Sequence, residues 1–254
     1  MLKVRIIPTL LWKGVGLVKG IGFDSWRRVG TVMPAIKVYN TRQVDELILV
    51  DIAATHESRL PDFQVIEEVS AECFVPFTVG GGIKTVDDIK KLLRAGADKV
   101  SINSAMFTNP EIINASARLF GVQCIVASID AKFEQGDYHC YSDAGTKDTG
   151  KNVVEWAQEA ERRGAGEILL TSIERDGTMK GYDIELIKRV SAAVKIPVIA
   201  SGGAGSYEDM YAALTEGKAS AIAAASIFHF TEQTPMEAKD YLGAKGIPVR
   251  NRNM

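Results

Sequence analysis

The segment "VASIDAK" carries a carboxylate, Asp130, directly after a run of residues typical of a buried β-strand. A carboxyl group at the carboxyl end of a strand can act as a general acid or base, which makes Asp130 the candidate catalytic residue. The first strand-like segment, "RIIPTLLWKG", has Leu10, Leu11 and Trp12 at the corresponding place. Only the segment that ends in Asp130 therefore has a side chain that can transfer a proton.

Two other strand-like segments end in consecutive glycines, "TVGGGI" and "IASGGAG". Such glycines let backbone N–H groups approach an anion, although they also serve tight turns that bind nothing. Because the glycine runs recur with small polar residues nearby, we expect two phosphate sites on opposite sides of one mouth, and hence a phosphorylated substrate with phosphate at both ends. The first would use "GGGI" (residues 80–83) with "NSA" (103–105), and the second "SGGAG" (201–205) with "DGT" (176–178) and "AAS" (224–226).

Charged side chains share inward-facing rows with small and hydroxyl residues, because alternate residues of a strand lie on one face. Arg5, Glu46, Lys99 and Glu167 stand near the start of four strand-like segments. If these rows face inward, two cations and two anions lie together at the bottom of the sheet. Such a group is either a balanced ion-pair plug or the gate of a polar passage to the mouth, and sequence pattern does not separate the two.

A repeating unit of strand and helix is needed to position these residues. Eight β-branched segments alternate with amphipathic helical segments at roughly thirty residues per unit, which predicts a parallel sheet covered by helices. The segment "GGGIKT" does not match the dinucleotide-binding glycine pattern, so a (β/α)8 barrel is favoured over an open, doubly wound sheet.

An internal repeat supports the barrel. Residues 75–107 align with residues 196–228 without a gap, and "DELILVDI" pairs likewise with "GEILLTSI". We therefore predict a single (β/α)8 domain over residues 1–254, composed of two half-barrels of roughly residues 1–120 and 121–254. In this arrangement Leu11 and Asp130 occupy equivalent strand ends.

Composition argues against several classes of protein. Thirty basic and 32 acidic residues leave a net charge of −2, which gives no support for nucleic-acid or anionic-membrane binding. Cys73, Cys124 and Cys140 lack metal-ligand spacing, so we expect no metal site and no cofactor. The N-terminal apolar run is too short to span a membrane, and we expect a cytoplasmic protein without membrane contact.

Motifs along essentially the whole chain, among them "DELILVDI", "RAGADKVSINSA", "RGAGEILLTSI" and "RDGTMKGYD", closely resemble the cyclase subunit of imidazole glycerol phosphate synthase. The resemblance implies a barrel whose N-terminal face binds a separate glutaminase subunit, which supplies ammonia through the barrel to a bisphosphorylated substrate. It also implies that Asp98 acts toward the glutaminase. The family's ammonia gate falls on Arg5, Glu46, Lys99 and Glu167. Its phosphate contacts fall on Gly82, Asn103, Ser104, Asp176, Gly177, Gly203, Ala225 and Ser226. Its other substrate contacts fall on Lys19, Asp51 and Thr171.

The chain departs from this family at the first strand. Members that form the imidazole ring have an aspartate where this chain has Leu11, and a serine that they present to the substrate is Ala144 here. Leucine cannot transfer a proton, and a positioned proton transfer contributes about 10²–10⁴ in rate. We therefore expect weak or absent cyclase activity. Trp12 either covers the mouth or packs the first loop, and Val15 is a further change nearby.

This divergent pattern resembles duplicated family members that accompany surface-polysaccharide genes and work with a glutaminase and an ATP-dependent sugar amidotransferase. Our main expectation is an ammonia-accepting barrel subunit specialised for acetamidino-sugar formation in lipopolysaccharide biosynthesis. Two alternatives stay open: the ordinary cyclase of histidine biosynthesis, and a non-catalytic ammonia conduit that holds the glutaminase.

Overall fold

The computed structural model describes residues 3–14 and 16–250, so Val15 lies outside the described residues. The strands are β1 Arg5–Lys13, β2 Gly16–Ile21, β3 Asp24–Gly30, β4 Leu47–Asp51, β5 Phe77–Gly80, β6 Lys99–Ile102, β7 Ile125–Glu134, β8 Asp137–Ser142, β9 Lys147–Asn152, β10 Glu167–Ser172, β11 Val198–Ser201 and β12 Ala221–Ala224. The helices are α1 Val32–Thr41, α2 Phe63–Glu72, α3 Val86–Arg94, α4 Ser104–Thr108, α5 Glu111–Phe120, α6 Val153–Arg163, α7 Ile184–Ala193, α8 Tyr207–Thr215, α9 Ser226–Phe230 and α10 Pro235–Ala244. Within these ranges, no helix is both long and apolar enough to cross a bilayer.

Eight strands close into a barrel in the order β1, β4, β5, β6, β7, β10, β11 and β12, with β12 paired to β1. Every neighbouring pair in this ring is parallel. Parallel strands need crossover connections, and helices between successive barrel strands supply them. The predicted (β/α)8 barrel is therefore confirmed.

Both faces of the first strand are buried, in two different apolar layers. Ile6, Leu10 and Trp12 belong to the large cluster between barrel and helices. Ile7 belongs to the smaller cluster inside the barrel, and Leu11 lines the cavity above it. Strand alternation thus directs Trp12 outward, so it packs the layer beneath the helices and does not cover the mouth.

Two antiparallel hairpins extend β1 and β7, and the sequence interpretation missed both. β1 continues into β2 and β3, while β7 continues into β8 and β9. The glycine-containing segment that follows Trp12 is thus largely a β-ribbon. Its sequence does not show the apolar alternation typical of a strand, because β3 is mostly exposed and polar. In addition, position 20 must be glycine because another backbone segment passes very close to it. A Cβ at Gly20 would lie 1.9 Å from the carbonyl oxygen of Asp24.

The internal repeat is visible in helix capping, but its alignment without a gap is wrong near the end. α3 and α8 begin with the same reciprocal cap, formed by Thr85 with Asp88 and by Ser206 with Asp209. Further along, Asn103 and Ala225 both stand directly before a short helix, whereas the gapless alignment pairs Asn103 with residue 224. The second repeat holds one more residue between its glycine at 217 and β12 than the first holds between Gly96 and β6. A chain turn with positive φ at Lys218 lies in this longer connection.

Candidate active site

The carboxyl ends of the barrel strands surround a cavity of about 160 Å³. Asp130 and Leu11 both line it, from strands four positions apart in the eight-membered ring and therefore on opposite sides. The same cavity is lined by the other residues predicted for the mouth, namely Lys19, Asp51, Gly82, Asn103, Ser104, Ala144, Thr171, Asp176, Gly177, Gly203, Ala225 and Ser226. Across residues 3–14 and 16–250, no three His, Cys, Asp or Glu side chains are grouped to hold a metal ion.

Asp130 is a buried carboxyl group whose acidity suits proton transfer near neutral pH. Its side chain is 9% exposed, and Asn103 Nδ2 lies 3.2 Å from Oδ2. Burial raises the pKa of Asp130 to about 7, and the negative charge of Asp176 adds to the rise. A group with this pKa is present in both forms near pH 7, so it can donate or accept a proton.

Leu11 forms an apolar wall on the opposite side. It is in register with Val50 of β4, which also lines the cavity. Leucine supplies neither proton nor lone pair, so Asp130 has no carboxylate counterpart at the equivalent strand end. The other two carboxylates of the mouth, Asp51 and Asp176, are paired with cations.

Asp51 is held by a residue that the sequence interpretation missed. Arg59 donates from Nη1 to Asp51 Oδ2 at 2.5 Å and from Nη2 to Oδ1 at 2.8 Å. The backbone N–H groups of Ala53 and Ala54 each donate to Oδ1 at 3.1 Å. Asp51 thus closes the turn after β4. The position of Arg59 in the sequence did not mark it as a partner of Asp51, because only the path of the loop after β4 brings the two side chains together.

The β2–β3 hairpin lies over the mouth, fixed by a buried ion pair. Lys19 Nζ lies 2.5 Å from Asp176 Oδ2, and Lys19 is 2% exposed. Gly22 N donates to the carbonyl oxygen of Asp176 at 2.8 Å. Burial raises the pKa of Asp176, and the nearby ammonium of Lys19 offsets part of this rise. Phe23 and Trp26 of the same hairpin also line the cavity, and the sequence interpretation missed both.

Close backbone packing accounts for the glycines at both strand ends. Gly82 has φ +70°, and a Cβ there would lie 2.8 Å from Ala54 Cβ. Gly203 has φ +113°, and its Cβ would lie 2.2 Å from the carbonyl oxygen of Gly181. Each glycine is therefore required by its neighbouring loop whether or not an anion binds. Phosphate binding at these ends stays a prediction.

At the bottom of the barrel, the four predicted charged residues form one ring of ion pairs. Arg5 lies 2.6 Å from Glu46 and 2.8 Å from Glu167, while Lys99 lies 3.0 Å from each carboxylate. Burial alone would lower the pKa of Arg5, but the two carboxylates more than offset this and raise it. Asp98, beside the ring, is exposed, and its Oδ2 accepts a hydrogen bond from Phe77 N at 2.8 Å.

Known proteins similar to this chain match it along its length. A sequence profile of the family described as histidine biosynthesis protein matches residues 5–234. The chain belongs to this family. Imidazole glycerol phosphate synthase subunit HisF of Dehalococcoides mccartyi is 50% identical over 253 residues, which cover 100% of both chains. The HisF subunits of Hyphomonas neptunium and Bacillus licheniformis are each 50% identical over 98% of this chain and over 99% and 100% of their own lengths. The resemblance to the HisF family is thereby confirmed.

Proposed function

We propose that this chain is the ammonia-accepting barrel subunit of a glutamine amidotransferase of the imidazole glycerol phosphate synthase type. One observation carries the proposal: a ring of paired, partly buried charges at the bottom of a barrel whose mouth holds a carboxyl group of pKa about 7. From Arg5 to Leu11 is a span of six residues, or roughly 20 Å of strand. The entrance for ammonia and the place of reaction are thus distinct parts of one passage.

The ring at the bottom is difficult to explain by stability alone. Glu46 is 1% exposed and accepts from Arg5, Lys99 and Thr78. Buried ion pairs contribute little net stability compared with well-packed apolar residues, because desolvation costs about as much as pairing returns. Above the ring, the hydroxyls of Ser101 and Ser128 face the cavity. A passage for a small neutral molecule such as ammonia, which can also cross the apolar cluster around Ile7 and Leu169 inside the barrel, accounts for both features.

The bottom face also has the character of a protein interface. Three large apolar side chains are exposed in segments that lead into barrel strands: Phe74 at 79%, Leu119 at 67% and Val122 at 51%. Exposed apolar groups beside a charged entrance are typical of a surface that a partner covers. They support a glutaminase bound at the N-terminal face, with Asp98 at its edge.

The names of the relatives support the cyclase reaction of histidine biosynthesis as the use of this ammonia. In that reaction ammonia attacks a phosphorylated substrate at the mouth, the substrate is cleaved and an imidazole ring closes. Asp130 would give and take the protons. The 50% identity over full-length HisF chains favours this candidate.

Leu11 favours a second candidate, acetamidino-sugar formation. Here ammonia replaces the amide oxygen of an acetamido group, and an ATP-dependent amidotransferase partner activates that oxygen as a leaving group. Activation by ATP removes the need for a second carboxylate to drive cleavage and ring closure. The loss of an acid at residue 11 with retention of the charged ring fits this division of labour.

The two candidates separate in a steady-state assay with the cyclase substrate and excess ammonia. We expect turnover at least about a hundredfold slower than that of the Bacillus licheniformis HisF subunit, the low end of the acid–base range. Leu11→Asp should restore little, because Ala144 also lacks the family's hydroxyl. A wild-type rate near that of the HisF control would assign the chain to histidine synthesis and remove the second candidate. Failure to use ammonia or to bind a glutaminase at all would refute the proposed function itself.

A further inference from the structure

The β2–β3 hairpin brings an aromatic side chain, Trp26, to the cavity at the mouth. A Cβ at Gly20 would lie 3.0 Å from Trp26 Cε3, so the indole occupies space that the absence of a side chain at Gly20 leaves free. Among the described residues, no aromatic ring or cation is stacked on Trp26, whereas the buried Trp156 has Phe107 stacked on it at 5.0 Å. Trp26 thus presents a partly exposed aromatic surface to the cavity.

Phe23 occupies a turn position that usually belongs to glycine or asparagine. Gly22 and Phe23 link β2 to β3 with φ values of +59° and +63°, and turns of this kind favour Asn-Gly or Gly-Gly. The conformation is strained for a bulky residue, and such residues are concentrated at ligand clamps. A Cβ at Gly145 would lie 2.8 Å from Phe23 Cδ2, so the Phe23 ring lies against the turn of the β8–β9 hairpin. Phe23 therefore joins the two hairpins over the mouth.

Hydroxyl groups line the same cavity from the barrel strands. Thr9, Ser101 and Ser128 contribute them from β1, β6 and β7. Thr9 Oγ1 is buried and has no hydrogen-bond partner among the described residues. Buried hydroxyls in folded proteins are almost always paired, so an unpaired one in a cavity marks a place where a polar group of a ligand can bond.

The size and the walls of the cavity fit a sugar ring. Its volume is about 160 Å³, and a cavity of about 150 Å³ in another protein holds one benzene molecule. A pyranose ring has C–H groups on its face and hydroxyl groups around its edge. The C–H groups carry a partial positive charge, which the negative face of an indole attracts. The edge hydroxyls can donate to, and accept from, the hydroxyls of serine and threonine.

We infer that the mouth binds a sugar ring, stacked on the indole of Trp26 with its hydroxyl edge toward Thr9, Ser101 and Ser128. Trp26 is then a specificity-determining residue, which favours a closed six-membered ring over an open-chain sugar with the same substituents. This inference rests on the proposed function, because it names the chemical class that binds at the same mouth. It accords with the second candidate reaction, whose substrate is an acetamido sugar.

Calorimetric titration of the full chain with two matched probes tests the inference. Methyl N-acetylglucosaminide is locked as a ring, whereas N-acetylglucosaminitol carries similar groups on an open chain. We expect the ring to bind about tenfold more tightly, because the open chain must also lose bond rotations. Trp26→Leu should weaken binding of the ring about tenfold or more, as loss of a stacked ring does, and should change binding of the open chain less. Trp26→Phe should retain most of the preference.

Trp12→Phe is the control, because Trp12 packs outside the barrel, and it should leave both affinities unchanged. Thermal unfolding verifies that the variants are folded, and if Trp26→Leu is not, the position of the ring in a crystal soaked with the glycoside decides. No binding of the glycoside, equal affinities for the two probes, or tighter binding of imidazole than of the glycoside would overturn the inference. The titration needs neither ammonia nor glutaminase. Its failure therefore leaves the proposed function standing, and failure to use ammonia leaves the ring preference unchanged.

Discussion

Replacing Asp130 by asparagine should make the protein more stable while it removes activity. The pKa of Asp130 is about 7 in the folded protein and 3.8 ordinarily, because burial disfavours its charge. The folded state therefore binds this proton more tightly than the unfolded chain does. The contribution of Asp130 to the free energy of unfolding thus decreases as pH rises from about 4 through about 7, and then levels off.

The size of the effect follows from the same values. The difference between a pKa of about 7 and one of 3.8 corresponds to about 4 kcal/mol, at about 1.36 kcal/mol for each tenfold change in acidity. The asparagine oxygen can still accept from Asn103 Nδ2. We expect Asp130→Asn to exceed the wild type in stability by up to about 4 kcal/mol at pH 8 and to match it near pH 4, while turnover decreases about 10²–10⁴-fold.

Denaturant unfolding of both proteins between pH 4 and pH 8 measures this difference. Asp51→Asn is the matched control at the same mouth. It should be less stable than wild type at pH 8, because Arg59 loses the carboxylate that it holds at 2.5 and 2.8 Å. A gain for Asp130→Asn that is absent at pH 8, or that does not shrink toward pH 4, would refute the argument that burial sets the acidity of Asp130.

Two further predictions concern the bottom of the barrel. Asp98→Lys should weaken a one-to-one complex with a glutaminase at least about tenfold in sedimentation or calorimetry, whereas Asp98→Asn, which keeps an oxygen for Phe77 N, should weaken it less; unchanged affinity in the lysine variant would place the interface elsewhere. Glu46→Gln leaves Arg5 and Lys99 with Glu167 as their remaining carboxylate in the ring and should lower the free energy of unfolding by about 3–5 kcal/mol. The surface variant Glu72→Gln should change the free energy of unfolding by less than about 1 kcal/mol. Equal effects of Glu46→Gln and Glu72→Gln would mean that Glu46 is not buried and coupled to the ring as described.

The barrel fold and the set of residues that line its mouth were predictable from sequence, because both follow from the periodicity of apolar residues along the strands and helices. Side chains alternate along a strand, and the carboxyl ends of all barrel strands meet at one mouth. These two facts bring together residues far apart in the chain, such as Asp130, Gly203 and Ser226. The same alternation grouped Arg5 with Lys99 at the bottom. These inferences need only the direction of each strand, which the pattern of apolar residues reports.

What each side chain bonds to was decided by the tertiary structure alone. No sequence pattern marks the return of Arg59 to Asp51, the ribbon that carries Lys19 to Asp176, or the outward orientation of Trp12. Asn103 and Ser226 belong to the same kind of strand end, yet one has its donors occupied by the protein and the other has its hydroxyl unpaired. Hydrogen bonds depend on tenths of an ångström between loops whose positions the sequence does not give. The internal repeat therefore predicted equivalent sites at the two strand ends, but loop packing made the two sites different.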